Sequence, residues 1–346
     1  MENYNPLIAL LVFFAIVLVL IVLFRPMKGW FWILKKNFQN NEKIIIEDIL
    51  KQLYHFENSG NKVDMKTLVQ MINYNHHRVV EVTKKMTVND LIFFEKDIMK
   101  LSDKGREYAL RIVRVHRLWE RYLADKTGFS KSEWHDRAEA MEHQLSHDET
   151  NILAAHLGHP KFDPHGDPIP TQTGRIAEIH GEELPLLSVN TIGRITHIED
   201  EPDVIYKQIL AENIHIGSLI KVIENNSTRI TFESEGEVFK LAPIVAANLT
   251  VAPLEKSIAV EDNIARLSSL KENETAKIIG ISKESRGEAR RRLLDLGFVK
   301  GAVIKIDLMN PLREPNAYLI KGTSIALRND QAAKILIKKD ELWTQK

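Results

Sequence analysis

The longest apolar run comes first. Leu7 to Phe24 is 18 residues without a polar side chain, which as a helix spans about 27 Å, close to a bilayer core. From Asn41 to Asn58 the pattern changes to helical spacing, with Ile44, Ile45, Ile49, Leu50, Leu53 and Tyr54 on one side. Ser59-Gly60-Asn61 breaks that helix. Met65 to Ile72 predicts a short helix, Asn73-Tyr74-Asn75 a turn, and Asn75 the cap of a helix over His76 to Met86. Leu91 to Phe94 and Ile98 to Leu101 predict a hairpin around Glu95 to Asp97, and Ser102 caps a long helix. Helix, short turn, helix and hairpin is the order of a winged helix-turn-helix, whose reading helix here is His76 to Met86. Arg111 to His143 is again helical, with Ile112, Val115, Leu118, Trp119, Tyr122 and Leu123 apolar. Thr171 to Glu183 is polar, contains Gly174 and Gly181, and reads as a linker. Beyond it, residues 209–222 parallel residues 293–306. Short alternating strands with glycine turns in both copies predict two small β-barrels.

Flanking charge orients the first run. Arg25, Lys28, Lys35 and Lys36 follow it, with Trp30, Phe31 and Trp32 among them, and only Glu2 precedes it. Positive-inside counting predicts a single-pass protein of the cytoplasmic membrane, its amino terminus outside and its body in the cytoplasm. A cleaved signal peptide is the alternative, but the basic n-region and a small-residue cleavage site are lacking. Over the whole chain 47 Lys and Arg balance 47 Asp and Glu, so net charge points to no nucleic-acid partner. Cysteine is absent. Disulfides and thiolate sites are excluded, and any metal must rest on imidazole and carboxylate.

Such ligands lie in register between Arg111 and His143. His116 and Glu120 are one helical turn apart, and His135, Glu139, Glu142 and His143 follow at i, i+4, i+7 and i+8. Two antiparallel helices carrying these faces would surround a divalent cation, and the donors suit manganese, ferrous iron, zinc or cobalt. The plain alternative is a pair of amphipathic helices with surface charge. On the reading helix the polar face is His77, Arg78, Glu81, Lys84 and Lys85. Residues 41–125 hold 15 Lys and Arg against 13 Asp and Glu, a small excess for a DNA-binding surface. A winged helix used for protein contacts is the alternative there. There is no His-Glu-x-x-His motif, and a sensor site needs no open coordination position, so the chain does not read as an enzyme.

Three segments in order, Arg114 to Glu120, Ala138 to His143 and Asp163 to Pro170, resemble the diphtheria toxin repressor family of metal-dependent transcriptional regulators. The resemblance covers about residues 41 to 255. It implies a winged helix-turn-helix, a helical domain that binds metal and forms a homodimer, and an SH3-like barrel. It also implies DNA as partner, Fe2+ or Mn2+ as cofactor, and repression of metal-uptake genes. One implied site uses Asp48 with Glu139, Glu142 and His143. The other uses His116, Glu120 and His135, with Glu201 or Asp203 near the position of an outer ligand. Carboxylates at Asp48 and Glu139 are the pattern of the manganese-responsive members, while Lys51 replaces a further carboxylate of that group. The reading helix departs from the family in opening with Asn75-His76-His77-Arg78.

Arg290 to Phe298, Gly301 and Ile325 to Arg328 resemble the FeoA family of SH3-like regulatory domains, which tilts the metal toward iron. The fold class expected is therefore α+β multidomain. It comprises a transmembrane anchor with its juxtamembrane segment (1–36), winged helix-turn-helix (37–108), helical metal and dimer domain (109–172), linker (173–183), SH3-like barrel (184–255) and FeoA-like barrel (264–346). Two functions compete. The chain is a membrane-tethered, metal-dependent DNA-binding repressor, or it is a metal-sensing regulator of a membrane metal transporter that does not bind DNA.

Overall fold

The computed structural model describes residues 10–14, 17, 42–254, 264–312 and 314–339. Most of the apolar run at 7–24, and all of residues 25–36, lie outside them. Among the described residues no helix is long and apolar enough to cross a membrane. The expected transmembrane helix, and the single-pass membrane location drawn from it, are corrected on that finding.

The chain divides into two compact units, Met1–Val113 and Arg114–Lys346. In the first, α1 (Glu42–Asn58), α2 (Met65–Met71) and α3 (His76–Val88) pack on a hairpin of β2 (Ile92–Glu95) and β3 (Ile98–Leu101). Ile45, Ile49, Leu50 and Leu53 of α1 and Val79, Val82 and Met86 of α3 share one buried core. Polar caps set the helix starts. Asp64 accepts from Thr67 N at 2.7 Å and Asn75 from His77 N at 2.9 Å. A two-residue strand, β1 (Val63–Asp64), adds to β3 and gives the order β1-β3-β2. Two residues are too few to show alternation, so the pattern did not reveal it.

The long helix α4 (Asp103–Lys126) begins in the first unit and ends in the second. In the second unit α5 (Lys131–Glu142) and α6 (His147–His156) follow. Ser130 and Ser146 open these helices, and their backbone N–H groups donate to Glu133 and Glu149 three residues on. Leu118, Ala154 and Ile169 form one small core, and Leu123, Ala124 and Trp134 another.

Two six-stranded antiparallel sheets complete this unit. The first runs β4 (Glu182–Glu183), β5 (Ile192–Ile198), α7 (Asp203–Ala211), β6 (Leu219–Asn225), β7 (Ile230–Ser234), β8 (Glu237–Leu241), α8 (Pro243–Ala246) and β9 (Leu249–Pro253). The second repeats the order with β10 (Ile264–Arg266), β11 (Thr275–Ile281), α9 (Gly287–Asp295), β12 (Val303–Leu308), β13 (Asn316–Ile320), β14 (Thr323–Leu327), α10 (Asn329–Ala332) and β15 (Ile335–Lys339). Strand orders match, β4-β9-β5-β6-β7-β8 and β10-β15-β11-β12-β13-β14. Both copies break register twice, in their second strand and again in the strand after the helix. The repeat read from the sequence is thus a repeat of fold. The barrels are not. Closure needs the end strands to pair, and among the described residues β4 does not pair with β8 nor β10 with β14. Each is an open sheet coiled over its own core.

Candidate metal centre

Glu120 is the hub. It lies on α4 one turn after His116, and both are buried. His116 Nε2 is 3.1 Å from Glu120 Oε1, and His135 Nδ1, from α5, is 3.5 Å from the same oxygen. His116, Glu120 and His135 each offer one donor atom within 4.8 Å of the others. Burial pushes the Glu120 carboxyl up, but His116, His135 and His165 outweigh it and hold it well below the usual carboxylate range. A buried carboxylate surrounded by imidazoles in this way stays ionised and ready to bind a cation.

The loop after α6 adds a third imidazole. His165 is buried, with Nε2 at 3.9 Å from Glu120 Oε1. Its Nδ1 is 3.1 Å from the hydroxyl of Tyr206 on α7. Nε2 has no hydrogen-bond partner among the described residues, an orphaned buried nitrogen aimed at a carboxylate. Asp200, in the turn before α7, reaches His135 Nδ1 at 3.9 Å, and Glu120, His165 and Asp200 form a second group of close donors. The residues therefore fit a hard or borderline cation, with mixed imidazole and carboxylate donors and an orienting hydroxyl behind one imidazole.

The loop is built to hold His165 in place. Asp163 Oδ1 accepts from the backbone N–H of His165 at 2.8 Å and of Asp167 at 2.9 Å. Burial, with Asp167 and Glu120 nearby, raises the Asp163 carboxyl well above its ordinary value. Arg117 donates to Pro168 O at 2.7 Å and to Asp167 at 3.0 Å. Gly166 has φ +93°, and a Cβ there would lie 2.2 Å from Thr196 O, so only glycine lets the loop lie on β5.

The other sequence-derived residues fall as follows. Glu142 Oε2 is 2.5 Å from His116 Nδ1, so this imidazole contacts Glu120 and Glu142 with its two nitrogens. Glu139 is 3.6 Å from His135 Nε2. His143 is the cap residue after α5, 3.6 Å from Glu142. Asp48 lies in the first unit, where its carboxylate accepts from Tyr74 Oη at 2.6 Å. Asp203 is tied to Lys207 at 2.5 Å and Glu201 is exposed, so the acidic residue beside His135 is their neighbour Asp200. Sequence reasoning missed the chemistry of His165, although its Asp-Pro-His-Gly motif marked the loop.

On α3, His77, Lys84 and Lys85 are exposed, and Arg78 and Glu81 are half-buried. Lys85 pairs with Glu42 at 2.8 Å and with Glu81 at 3.5 Å. Arg78 pairs with the same two carboxylates at 3.6 and 3.4 Å. Two of the three cations on this face thus already stand against carboxylates.

Residues 102–171, which include the hub glutamate and its motif loop, match the iron dependent repressor, metal binding and dimerisation domain. Over this stretch the chain is similar to the iron-dependent repressors. Residues 265–339, the second sheet domain, match the FeoA domain. A solved manganese-dependent transcriptional repressor in complex with manganese is 28% identical, with TM-score 0.55 over 60% of this chain and 99% of that one. The diphtheria toxin repressor of Corynebacterium jeikeium is 29% identical over 175 residues, 48% of this chain and 72% of the relative. A probable metal transport system membrane protein of Chlamydia trachomatis is 33% identical over 143 residues, 41% of this chain. The chain spans only 28% of that relative's length. The repressor relatives are iron- or manganese-dependent regulators and not enzymes. The segment matched by the repressor domain supplies Glu120, His116, His135 and His165, and the first sheet domain supplies Asp200 and Tyr206.

Proposed function

We propose that this chain is a homodimeric, divalent-metal-dependent DNA-binding regulator that represses metal-uptake genes, with Fe2+ or Mn2+ as the activating ion. The observation that carries this reading is the convergence of His116, His135, His165 and Asp200 on buried Glu120. In this reading those residues hold one cation. Asp48, Glu139, Glu142 and His143 hold the other, so that a ligand from the DNA-reading part and ligands from α5 are drawn together. The bound ion supplies positive charge that facing carboxylates otherwise lack. This favours the DNA-competent state by its differential affinity for that state. His77, Arg78, Glu81, Lys84 and Lys85 face the DNA. Absence of thiolate donors suits manganese or ferrous iron.

A second reading, a metal-sensing regulator that acts on a metal transporter without binding DNA, is favoured by the carboxylate pairing of Arg78 and Lys85. Anisotropy titration of the whole chain against its own upstream DNA separates the two. The repressor reading expects binding with Mn2+ or Fe2+ that chelator abolishes and Asp48→Ala weakens at least tenfold. No binding with either ion at low salt, together with co-purification of a transport protein, sinks it.

A further inference from the structure

The two sheet domains use one position of their common fold in the same way. Laying Ile209 on Leu293 and Gly217 on Gly301 puts Asp200 on Glu284, each three residues ahead of its domain's helix. Asp200 reaches His135 of α5. Glu284 reaches Nε2 of His215 at 3.6 Å, in the first sheet domain, and His215 Nδ1 lies 2.5 Å from Nζ of Lys131. Lys131 is the first residue of α5, one turn ahead of His135. The first sheet domain therefore bears on this helix both at a candidate metal ligand and one turn before it, and the second domain reaches the earlier point through His215.

The chemistry of this contact is specific. His215 is buried and Lys131 half-buried. Burial lowers the His215 imidazole, although Glu284 opposes the shift. A neutral imidazole accepts from Lys131 at Nδ1 and presents its Nε2–H to Glu284. Burial, with Arg286 nearby, brings the Lys131 ammonium down to about 8, so it still carries its charge at neutral pH. The second domain cannot slide away freely. Ser282 Oγ donates to Glu235 at 2.7 Å, and Arg266 Nε stands 2.8 Å from Glu237, both carboxylates on the β7–β8 hairpin.

We infer that the FeoA domain is a positioning domain of the metal centre, acting through Glu284, His215 and Lys131 to hold the start of α5 so that His135 faces Glu120. None of the three contacts the ion in this arrangement. The inference rests on the metal-centre reading above and adds to it which part of the chain sets the affinity.

Cobalt titration of the full chain tests it, following affinity and the visible absorption of the bound ion. Glu284→Gln and Lys131→Met are each expected to weaken Co2+ binding about three- to tenfold and to shift the absorption bands. The double variant should be no weaker than the worse single one, because residues acting as a unit are not additive. The metal-free forms should melt within a few degrees of the wild type. Wild-type affinity and spectrum in Glu284→Gln overturn the inference. That isosteric change at a partly exposed side chain keeps the test decisive if Lys131→Met does not fold. A wild-type chain that takes up no cobalt overturns the metal centre itself, and the inference with it.

Discussion

The hydroxyl of Tyr206 illustrates how much one atom contributes at the residue scale. It is the contact that fixes the His165 ring, leaving Nε2 directed at Glu120. Burial raises its own proton affinity well above the tyrosine norm, so it remains a hydroxyl across the working pH range. Partners behind a ligand typically carry 10- to 100-fold in metal affinity. Tyr206→Phe should therefore lower Mn2+ affinity roughly tenfold, read by the electron paramagnetic resonance of free manganese, with little change in melting temperature. Unchanged affinity would mean the loop alone orients His165. The sequence named His116, Glu120 and His135 because helical spacing places ligands by number. It could not place His165 or Asp200 beside them. Those positions come from a loop and from a turn of another domain, and loop geometry has no period to read.

Among the elements, α3 carries a conflict between its charge and its proposed task. Arg78 and Lys85 must leave Glu42 and Glu81 to reach phosphates, and surface pairs of this kind are worth less than about 1 kcal/mol each. Glu42 is the member that comes from another helix. Glu42→Gln should strengthen DNA binding at low salt and steepen the slope of log affinity against log salt. The change should approach one further phosphate contact, at about 0.9, because Glu81 still pairs with both cations. A slope equal to the wild type's would show that the pairs do not compete with DNA. The helices α1, α2 and α3 and the hairpin were legible because each has a cap or a break and a clear apolar side. The sheets were legible as strands but not in their form, since alternation does not reveal whether the end strands meet. The apolar run at 7–24 is the opposite case, a composition that predicts a span where no described helix is long enough to provide one.

For the whole molecule, the second unit is an assembly of repeats whose contacts are polar and close. Gly236, at φ +80° in the β7–β8 turn, approaches β10 so nearly that a Cβ would lie 1.9 Å from Ile264 O. Gly236→Ala should force the sheet domains apart and cost about 2 kcal/mol or more, seen calorimetrically as a lower or divided unfolding transition. A single unshifted transition would show that the turn can yield. The shared imidazole of His116 has a further consequence for this assembly. A neutral ring owns one N–H, yet Glu120 and Glu142 sit on its two nitrogens. The carboxylate that receives the proton is bridged, and the other faces a lone pair. A cation that takes the lone pair on the Glu120 side leaves the proton to Glu142, and the reverse holds for the other side. The tautomer of this single side chain therefore reports which of the two carboxylates it bridges.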